Sequence, residues 1–200
     1  MSPYVNATTP YPWPYDGDLG GAQTALLVVL TADAGPAATA IAPQLDALAD
    51  AVRAAGGTVV VVRTTAPPPG GSRLRVPVTA STELLDIAPD IDMVAGGIDG
   101  YYASDLDIVL RTGRYRRLIL AGVGLETCVH STMRDANDRG YECLLVVDAC
   151  VPVDPALTDA SVSSIEMSGG IFGAVGRTAD VVAALAPAYT PVPALTPGDL

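Results

Sequence analysis

The stretch from residue 116 to residue 150 constrains the fold of this chain more than any other. An apolar run at residues 118–120 enters a bend that contains Gly122 and Gly124, and a second apolar run ends the stretch. Cys128 stands where a helix between the two runs should begin. This order predicts a strand, a sharp turn, a helix and a second strand, which is the repeating unit of a parallel α/β sheet.

Cys128 is the candidate nucleophile. A side chain at the first turn of a helix faces backbone N–H groups that lack partners within the helix, and it faces the positive end of the helix dipole. Both effects favour the thiolate over the thiol. The sequence therefore predicts a reactive cysteine at this turn.

The rest of the chain continues the alternation of buried strands and helices. The predicted strands are residues 24–31, 58–64, 92–95, 117–121, 143–147 and 170–175. The predicted helices are residues 41–55, 104–111, 126–139, a helix that starts at 154, and 178–186, whereas 32–40 and 65–90 are predicted loops. The pattern predicts an α/β fold, a three-layer αβα Rossmann-like arrangement with a six-stranded, mainly parallel sheet. Ligands bind such sheets beyond the carboxyl ends of the strands.

Length and composition favour one domain over residues 1–200, because half of the residues are apolar and can fill a core. Residues 1–22 are rich in proline and tyrosine, and we expect an extended aromatic arm that crosses this subunit or a neighbouring one. The tail, residues 187–200, is expected to be loosely held. The N-terminus resembles no signal peptide and no apolar run is long enough to span a membrane, so we expect a cytoplasmic protein.

The charged residues exclude several functional classes. A net charge of −11 argues against partners such as nucleic acid or an anionic membrane surface. All eleven basic residues are arginine, so chemistry that needs a lysine is excluded. One histidine, and three cysteines without a C-x-x-C pair, argue against a zinc site, and we expect no metal and no cofactor. The expected partner is a small-molecule substrate or ligand.

The cysteine region resembles a known family. Residues 122–150 read GVGLETCVHSTMRDANDRGYECLLVVDAC, which is similar to the signature of the isochorismatase-like cysteine hydrolases. Three further motifs, YPWPYDGDL, YYASDLDIVLRTG and MSGGIFGAV, look closest to the biuret hydrolase and ureidoacrylate amidase branch. The resemblance implies an amide hydrolase that works through a cysteine thioester, with an aspartate base, a lysine, and an oxyanion hole preceded by a cis peptide. It also implies a homo-oligomer, a dimer or a tetramer.

The family pattern is only partly present in this chain. Cys128 and the backbone N–H groups around Thr127 match the nucleophile and the oxyanion hole. The aspartate at the end of the first strand is replaced by Leu30, and the lysine by Ala95. A glutamine that holds the substrate in the close branch is replaced by Ser168.

These replacements predict altered chemistry. The missing aspartate would take the thiol proton, a role that contributes on the order of a hundred- to ten-thousand-fold in rate. Losing the aspartate and the lysine together leaves neither charge buried and unpaired. We therefore expect a more apolar pocket in which the cysteine lacks its usual partners. The candidate substrate-binding residues are Leu30, Ala95, Tyr101, Tyr102, Val123, Gly124 and Ser168.

Two side-chain assignments remain open at this stage. Asp33 lies three residues beyond the expected base, and a slipped loop could bring it back as a displaced base; the alternative is a solvated loop residue. Tyr101 and Tyr102 could offer a phenol to a ligand or could anchor a loop. His130 is expected on another helix face than Cys128.

Three functional hypotheses follow. The first is an enzyme of altered chemistry, acting on a small, relatively apolar substrate by atypical hydrolysis or by a cyclisation, addition or elimination. The second is a catalytically inactive pseudoenzyme that binds a ligand or a partner subunit. The third is an ordinary C–N amide hydrolase whose base is Asp33.

Overall fold

The structure, a computed structural model, describes residues 2–31, 34–65 and 88–186. Its six strands are β1 Thr24–Thr31, β2 Thr58–Thr64, β3 Ile91–Val94, β4 Arg117–Val123, β5 Glu142–Val151 and β6 Ala174–Gly176. Its α-helices are α1 Gly35–Ala40, α2 Ala42–Ala54, α3 Leu106–Thr112, α4 His130–Asp138, α5 Thr158–Gly170 and α6 Thr178–Leu185. The strands form one sheet in the order β3-β2-β1-β4-β5-β6, and every neighbouring pair is parallel. The predicted α/β fold class is confirmed.

The central strands are buried on both faces, as their continuous apolar sequences predict. In β1, Leu26, Val28 and Leu30 belong to one core layer, which they share with α2 and α6. The alternate residues Leu27 and Val29 belong to the other layer, which contains Cys128. Side chains of a strand point to opposite faces in turn, so one strand supplies both layers.

Several element boundaries differ from the prediction. The bounds of β1 and β2 are as predicted, but residues 35–40, predicted as loop, form α1 with a proline in its first turn. A proline is tolerated there because the N–H groups of a first turn have no partner within the helix. The predicted sixth strand is present, but its predicted start at residue 170 is wrong: α5 continues to Gly170, and β6 begins only at Ala174.

The glycines between α5 and β6 form a tight connection rather than a strand. Gly173 has φ +120°, and a Cβ added there would lie 2.2 Å from the carbonyl oxygen of Cys143. This close approach leaves no room for a side chain. The chain therefore turns through these glycines before it reaches the sheet.

The N-terminal arm packs on this protomer. Thr9 exchanges two backbone hydrogen bonds with Val175 of β6, at 2.9 and 2.8 Å, and the Ser2 amide donates to the Ala184 carbonyl at 2.9 Å. Trp13 is fully buried. These contacts fix the arm against the edge of the sheet and the last helix.

The buried guanidinium of Arg117, at the start of β4, anchors the end of the arm. It pairs with Asp16 at 3.1 Å and with Asp18 at 3.2 Å. Most of the predicted loop at 65–90, and the tail, lie outside the described residues. Within the part of the chain that the structure describes, no helix is both long and apolar enough to cross a membrane.

Candidate active site

The turn after β4 is shaped by two glycines. Gly122 has φ +139°, and a Cβ there would lie 1.9 Å from the carbonyl oxygen of Val29. Gly124 has φ +94°, and a Cβ there would lie 2.8 Å from Cys128 Sγ. The cis peptide expected between Val123 and Gly124 is not present: among the described residues, the cis bonds precede Pro10 and Pro14. Positive φ values at the glycines shape the turn instead.

Cys128 lies in a single π-helical turn, Leu125–Val129, that leads directly into α4. Its side chain is 1% exposed. The sulfur donates to the carbonyl oxygen of Val123 at 2.9 Å, and the carbonyl oxygen of Gly124 lies 3.7 Å away. A carbonyl can accept a hydrogen bond only from the protonated thiol, so these contacts favour the thiol.

Burial raises the pKa of the Cys128 thiol above its ordinary value. Hydrogen bonds from Thr64 and Thr127 and from nearby backbone amides lower this pKa, but their effect is smaller. The backbone amides at this turn thus favour the thiolate, as predicted, but burial has the larger effect on the pKa. The loss of solvent around the sulfur outweighs the favourable amides, because a buried thiolate has little solvation.

A cavity of about 450 Å³ opens beside Cys128 at the carboxyl ends of the strands. Its lining residues are Thr31, Ala34, Ala37, Thr64, Ile98, Val123, Thr127, Cys128, Pro152 and Val153. Within the ranges described, this lining contains three threonine hydroxyls and one thiol but no charged side chain. A cavity of this size and character suits a small, mostly apolar molecule.

The cavity brings together only some of the residues that the sequence singled out. Val123, Thr127 and Cys128 line it, and Gly124 approaches the sulfur closely. Leu30 is 1% exposed and lies in the core layer opposite to that of Cys128. Its carbonyl oxygen accepts the Thr64 hydroxyl at 3.1 Å.

Ala95 and the two tyrosines are not among the residues that line the cavity. Ala95 is fully buried in the layer of Cys128. Tyr101 stacks on Tyr141 at 6.5 Å between ring centroids, and the guanidinium of Arg139 lies 4.5 Å from the Tyr101 ring. These contacts favour the loop-anchoring interpretation for Tyr101. Tyr102 is 56% exposed.

Three assignments stay predictions. Thr127 could serve the oxyanion hole only in part, because its backbone amide already donates to the Gly124 carbonyl at 3.1 Å. Ser168 lies within α5, and its side chain is not among those described. Asp33 lies outside the described residues. In the sequence it falls between Thr31 and Ala34, which both line the cavity.

Glu126 holds one wall of the cavity. Its carboxylate accepts the backbone N–H of Val153 at 3.0 Å and that of Asp154 at 2.6 Å. Val153 lines the cavity, and Glu126 lies two residues before Cys128 in the same turn. This carboxylate therefore fixes the wall relative to the sulfur.

His130 lies apart from the cavity lining. Its Nε2 accepts a hydrogen bond from Arg134 Nε at 3.2 Å, and Ser164 Oγ lies 3.4 Å away. Burial and the neighbouring guanidinium lower the pKa of His130. The ring is thus held by partners on α4 and α5, on another side of the helix from the cavity.

Some cavity residues were missed by the sequence reasoning although a signal was present. Thr31 and Thr64 are the last residues of β1 and β2, and Pro152 follows β5 directly. Ligands of parallel sheets bind at such positions, so the predicted ends of the first two strands could have nominated Thr31 and Thr64. Pro152 could not be found in this way, because the fifth strand was predicted to end at residue 147 but continues to Val151. Ala34 and Ala37 carried no such signal, because α1 was not predicted.

Comparison with known proteins gives one matching family and a set of relatives. The sequence model of the isochorismatase domain matches residues 23–180. The ureidoacrylate amidohydrolase RutB of a Methylorubrum extorquens strain is 34% identical over 97 residues, which are 48% of this chain and 38% of that relative. The RutB of Variovorax paradoxus is 36% identical over 90 residues, 44% of this chain and 34% of the relative. The matched segments thus span little more than a third of these two relatives.

Solved structures show the same fold at low identity. A cysteine hydrolase from Pseudomonas syringae pv. phaseolicola has a TM-score of 0.68 at 23% identity, over 82% of this chain and 93% of that one. The N-carbamoylsarcosine amidase of Thermoplasma acidophilum has a TM-score of 0.60 at 22% identity, over 78% and 96%. These likenesses support the fold.

Proposed function

Because the chain belongs to the isochorismatase family, we propose that it is a cysteine-dependent enzyme of altered chemistry that acts on a small, relatively apolar substrate. One observation carries the proposal. The thiol of Cys128 borders a cavity whose described lining offers hydroxyl groups but no carboxylate and no cation. A nucleophile borders the cavity, whereas none of the described lining residues is a carboxylic acid or a base that could accept and return its proton.

The chemistry follows from this combination. Attack of the thiol on an acyl carbon forms a thioester, and the bond to the leaving group breaks as the thiol proton passes to that group. Water then cleaves the thioester, which releases the acid and restores the thiol. An amide nitrogen must be protonated before it can leave, and a positioned acid supplies that proton in ordinary amidases. The preferred substrate is therefore an activated acyl compound, such as a thioester, whose leaving group can depart before it is protonated and then takes up the proton lost by the thiol.

The same site also suits reactions without an amine leaving group, which are the cyclisation, addition or elimination reactions of the first hypothesis. When the thiol adds to an electrophilic carbon, no amine leaves, so no acid is needed to protonate a leaving group. The raised pKa of Cys128 makes such a reaction slow at neutral pH unless the substrate is itself reactive.

A second candidate function, C–N amide hydrolysis, is favoured by the position of Asp33 in sequence. Thr31 and Ala34, on either side of it, line the cavity. Two relatives of this chain are ureidoacrylate amidohydrolases. In this alternative Asp33 takes the thiol proton and returns it to the leaving amine.

The experiment compares the native protein with Cys128→Ala, Cys128→Ser and Asp33→Asn. Each is incubated with a thioester and with the matching amide of the same short apolar acyl group, and both acyl transfer and intact mass are measured. We expect turnover of the thioester, with a mass adduct lost in Cys128→Ala, and no dependence on Asp33. Amide turnover abolished by Asp33→Asn would replace the proposal with the second function. No adduct, together with equal rates in native protein and Cys128→Ala, would favour a pseudoenzyme that binds a ligand.

The homo-oligomer implied by the family resemblance remains a proposal beside this function. The small-molecule substrate is likewise proposed on the size and lining of the cavity.

A further inference from the structure

A second cavity, of about 540 Å³, lies at the opposite end of the sheet from Cys128. Its lining includes Gln23, directly before β1, residues 114–116, directly before β4, and Tyr141, directly before β5. It therefore lies at the amino ends of these strands. Because β4 has seven residues, the two cavities are separated by about 23 Å of strand. The second cavity is not a part of the cysteine site.

Four arginines line this second cavity, which we name the arginine pocket: Arg111, Arg114, Arg116 and Arg139. The chain has eleven arginines, no lysine and a net charge of −11. A basic pocket on so acidic a protein concentrates positive potential in one place, where it attracts anions.

Two of the four charges are neutralised within the protein. Arg111 pairs with Asp107 at 3.0 Å, and Arg139 pairs with Asp107 at 3.4 Å and with Asp135 at 3.0 Å. These pairs also hold the two side chains in place at the rim. The guanidinium groups of Arg111 and Arg139 therefore have fixed positions, and their charges are balanced by the two aspartates.

The other two charges are available to a ligand. Arg114 and Arg116 form no ion pair with any residue in the ranges 2–31, 34–65 and 88–186. Their side chains are exposed, and both residues line the pocket. Two positive charges without counter-charges match one dianion.

The walls between the arginines are aromatic and fixed. The Tyr115 hydroxyl donates to Thr58 Oγ1 at 2.6 Å, and the Tyr141 hydroxyl donates to Asp107 at 3.2 Å. The guanidinium of Arg111 lies 5.8 Å from the centre of the Tyr141 ring. These contacts hold the two rings in the wall of the pocket.

We infer that the arginine pocket binds a phosphoryl dianion, as an inorganic phosphate or as a phosphate group of a nucleotide-sized molecule. Guanidinium groups bind phosphate oxygens through paired N–H donors, and this geometry distinguishes arginine from lysine as a phosphate ligand. The site is independent of Cys128, since it lies at the other end of the sheet.

The test measures binding of diphosphate, of orthophosphate and of ADP by isothermal titration at low, constant ionic strength. The proteins are the native chain, Arg114→Ala, Arg116→Ala and Arg177→Ala. Arg177 is an exposed arginine before α6 that is not among the residues lining the pocket, so its variant removes one positive charge elsewhere. Circular dichroism and melting temperature confirm that each variant is folded.

We expect saturable binding of diphosphate that weakens about tenfold in Arg114→Ala and in Arg116→Ala, but less than twofold in Arg177→Ala. Tighter binding of ADP than of diphosphate would identify a nucleotide as the source of the phosphate, and equal binding would identify the free anion. Three results would overturn the inference: no saturable binding, an equal loss in Arg177→Ala, or citrate binding as tightly as diphosphate. Binding by the Cys128→Ala protein should be unchanged, which keeps this test separate from that of the enzymatic proposal.

Discussion

Replacing Gly124 by alanine should both destabilise the protein and slow the alkylation of Cys128. The glycine has φ +94°, and an added Cβ would lie 2.8 Å from Cys128 Sγ and 2.7 Å from Thr127 Oγ1. A left-handed backbone costs an L-residue about 1–2 kcal/mol. Both colliding atoms are ends of side chains, and forcing each from its rotamer costs about 0.5–1.5 kcal/mol. The expected loss in the free energy of unfolding is therefore about 2–5 kcal/mol.

Gly140→Ala is the matched control, because that glycine has φ +90° but a Cβ there would meet nothing within 4 Å. The loss of stability in Gly140→Ala therefore measures only the cost of a left-handed backbone at an alanine, about 1–2 kcal/mol. For a chain of this size each 1 kcal/mol lowers the melting temperature by about 2–4 °C. Gly124→Ala should thus melt below Gly140→Ala by several degrees.

The assays are calorimetric melting and the rate at which iodoacetamide modifies Cys128, followed by intact mass. Rotation of the sulfur away from the new methyl group should slow modification about tenfold in Gly124→Ala, which corresponds to roughly 1.4 kcal/mol in the barrier. Modification in Gly140→Ala should match the native protein. Equal melting temperatures in the two variants, or native-like modification of Gly124→Ala, would refute the packing of this glycine against the sulfur.

Three further predictions concern the same region. Because burial raises the pKa of Cys128, its modification rate should keep rising with pH beyond about 8.5, where an ordinary thiol levels off. The raised pKa of the folded state contributes stability that is present below the ordinary pKa of the thiol and is lost as pH rises through the folded-state pKa. Because burial also raises the pKa of Cys143 and Cys150, the difference in urea unfolding between the native protein and Cys128→Ala, from pH 7 to 10, measures the part due to Cys128. Glu126→Gln leaves one acceptor oxygen for two amides, so the Val153 and Asp154 amides should exchange faster with solvent. Because both hydrogen bonds are exposed, unfolding should become easier by only about 0.5–1.5 kcal/mol. Leu30→Asp places an unpaired carboxylate in the core and should cost about 3–5 kcal/mol at pH 7 but less at pH 5, where the acid is protonated.

Each of these predictions can be contradicted directly. A modification rate that reaches its plateau by pH 8 would mean that burial does not dominate the Cys128 thiol. Unchanged exchange of the two amides in Glu126→Gln, measured by NMR, would show that the carboxylate does not hold the wall. Equal stability of Leu30→Asp at the two pH values would show that residue 30 is solvated in the folded protein.

Much of the scaffold could be predicted from local sequence. The strands at 24–31 and 58–64 are continuous apolar runs, and their bounds match the structure because burial on both faces leaves little choice of residue. The turn at Cys128 follows from its glycines. In contrast, residues 35–40 are small and carry no apolar periodicity, so their helix depends on packing that local sequence does not encode.

The chemistry of the site depends more on tertiary structure. Position in the turn predicts a lowered pKa for Cys128, but the pKa is raised because other elements close over the sulfur. The family resemblance predicts that Leu30 stands where relatives carry an acid. The sequence does not show that Thr31, rather than its neighbour Leu30, lines the cavity. This depends on which face of β1 is turned towards Cys128, and the side chain of Leu30 lies in the opposite core layer.

The contacts of the N-terminal arm have a consequence for biosynthesis. Ser2 and Thr9 are synthesised long before their backbone partners, Ala184 and Val175. Domains acquire their structure as the chain emerges, and contacts between distant residues form slowly. The arm therefore makes these contacts only after β6 and α6 have been synthesised.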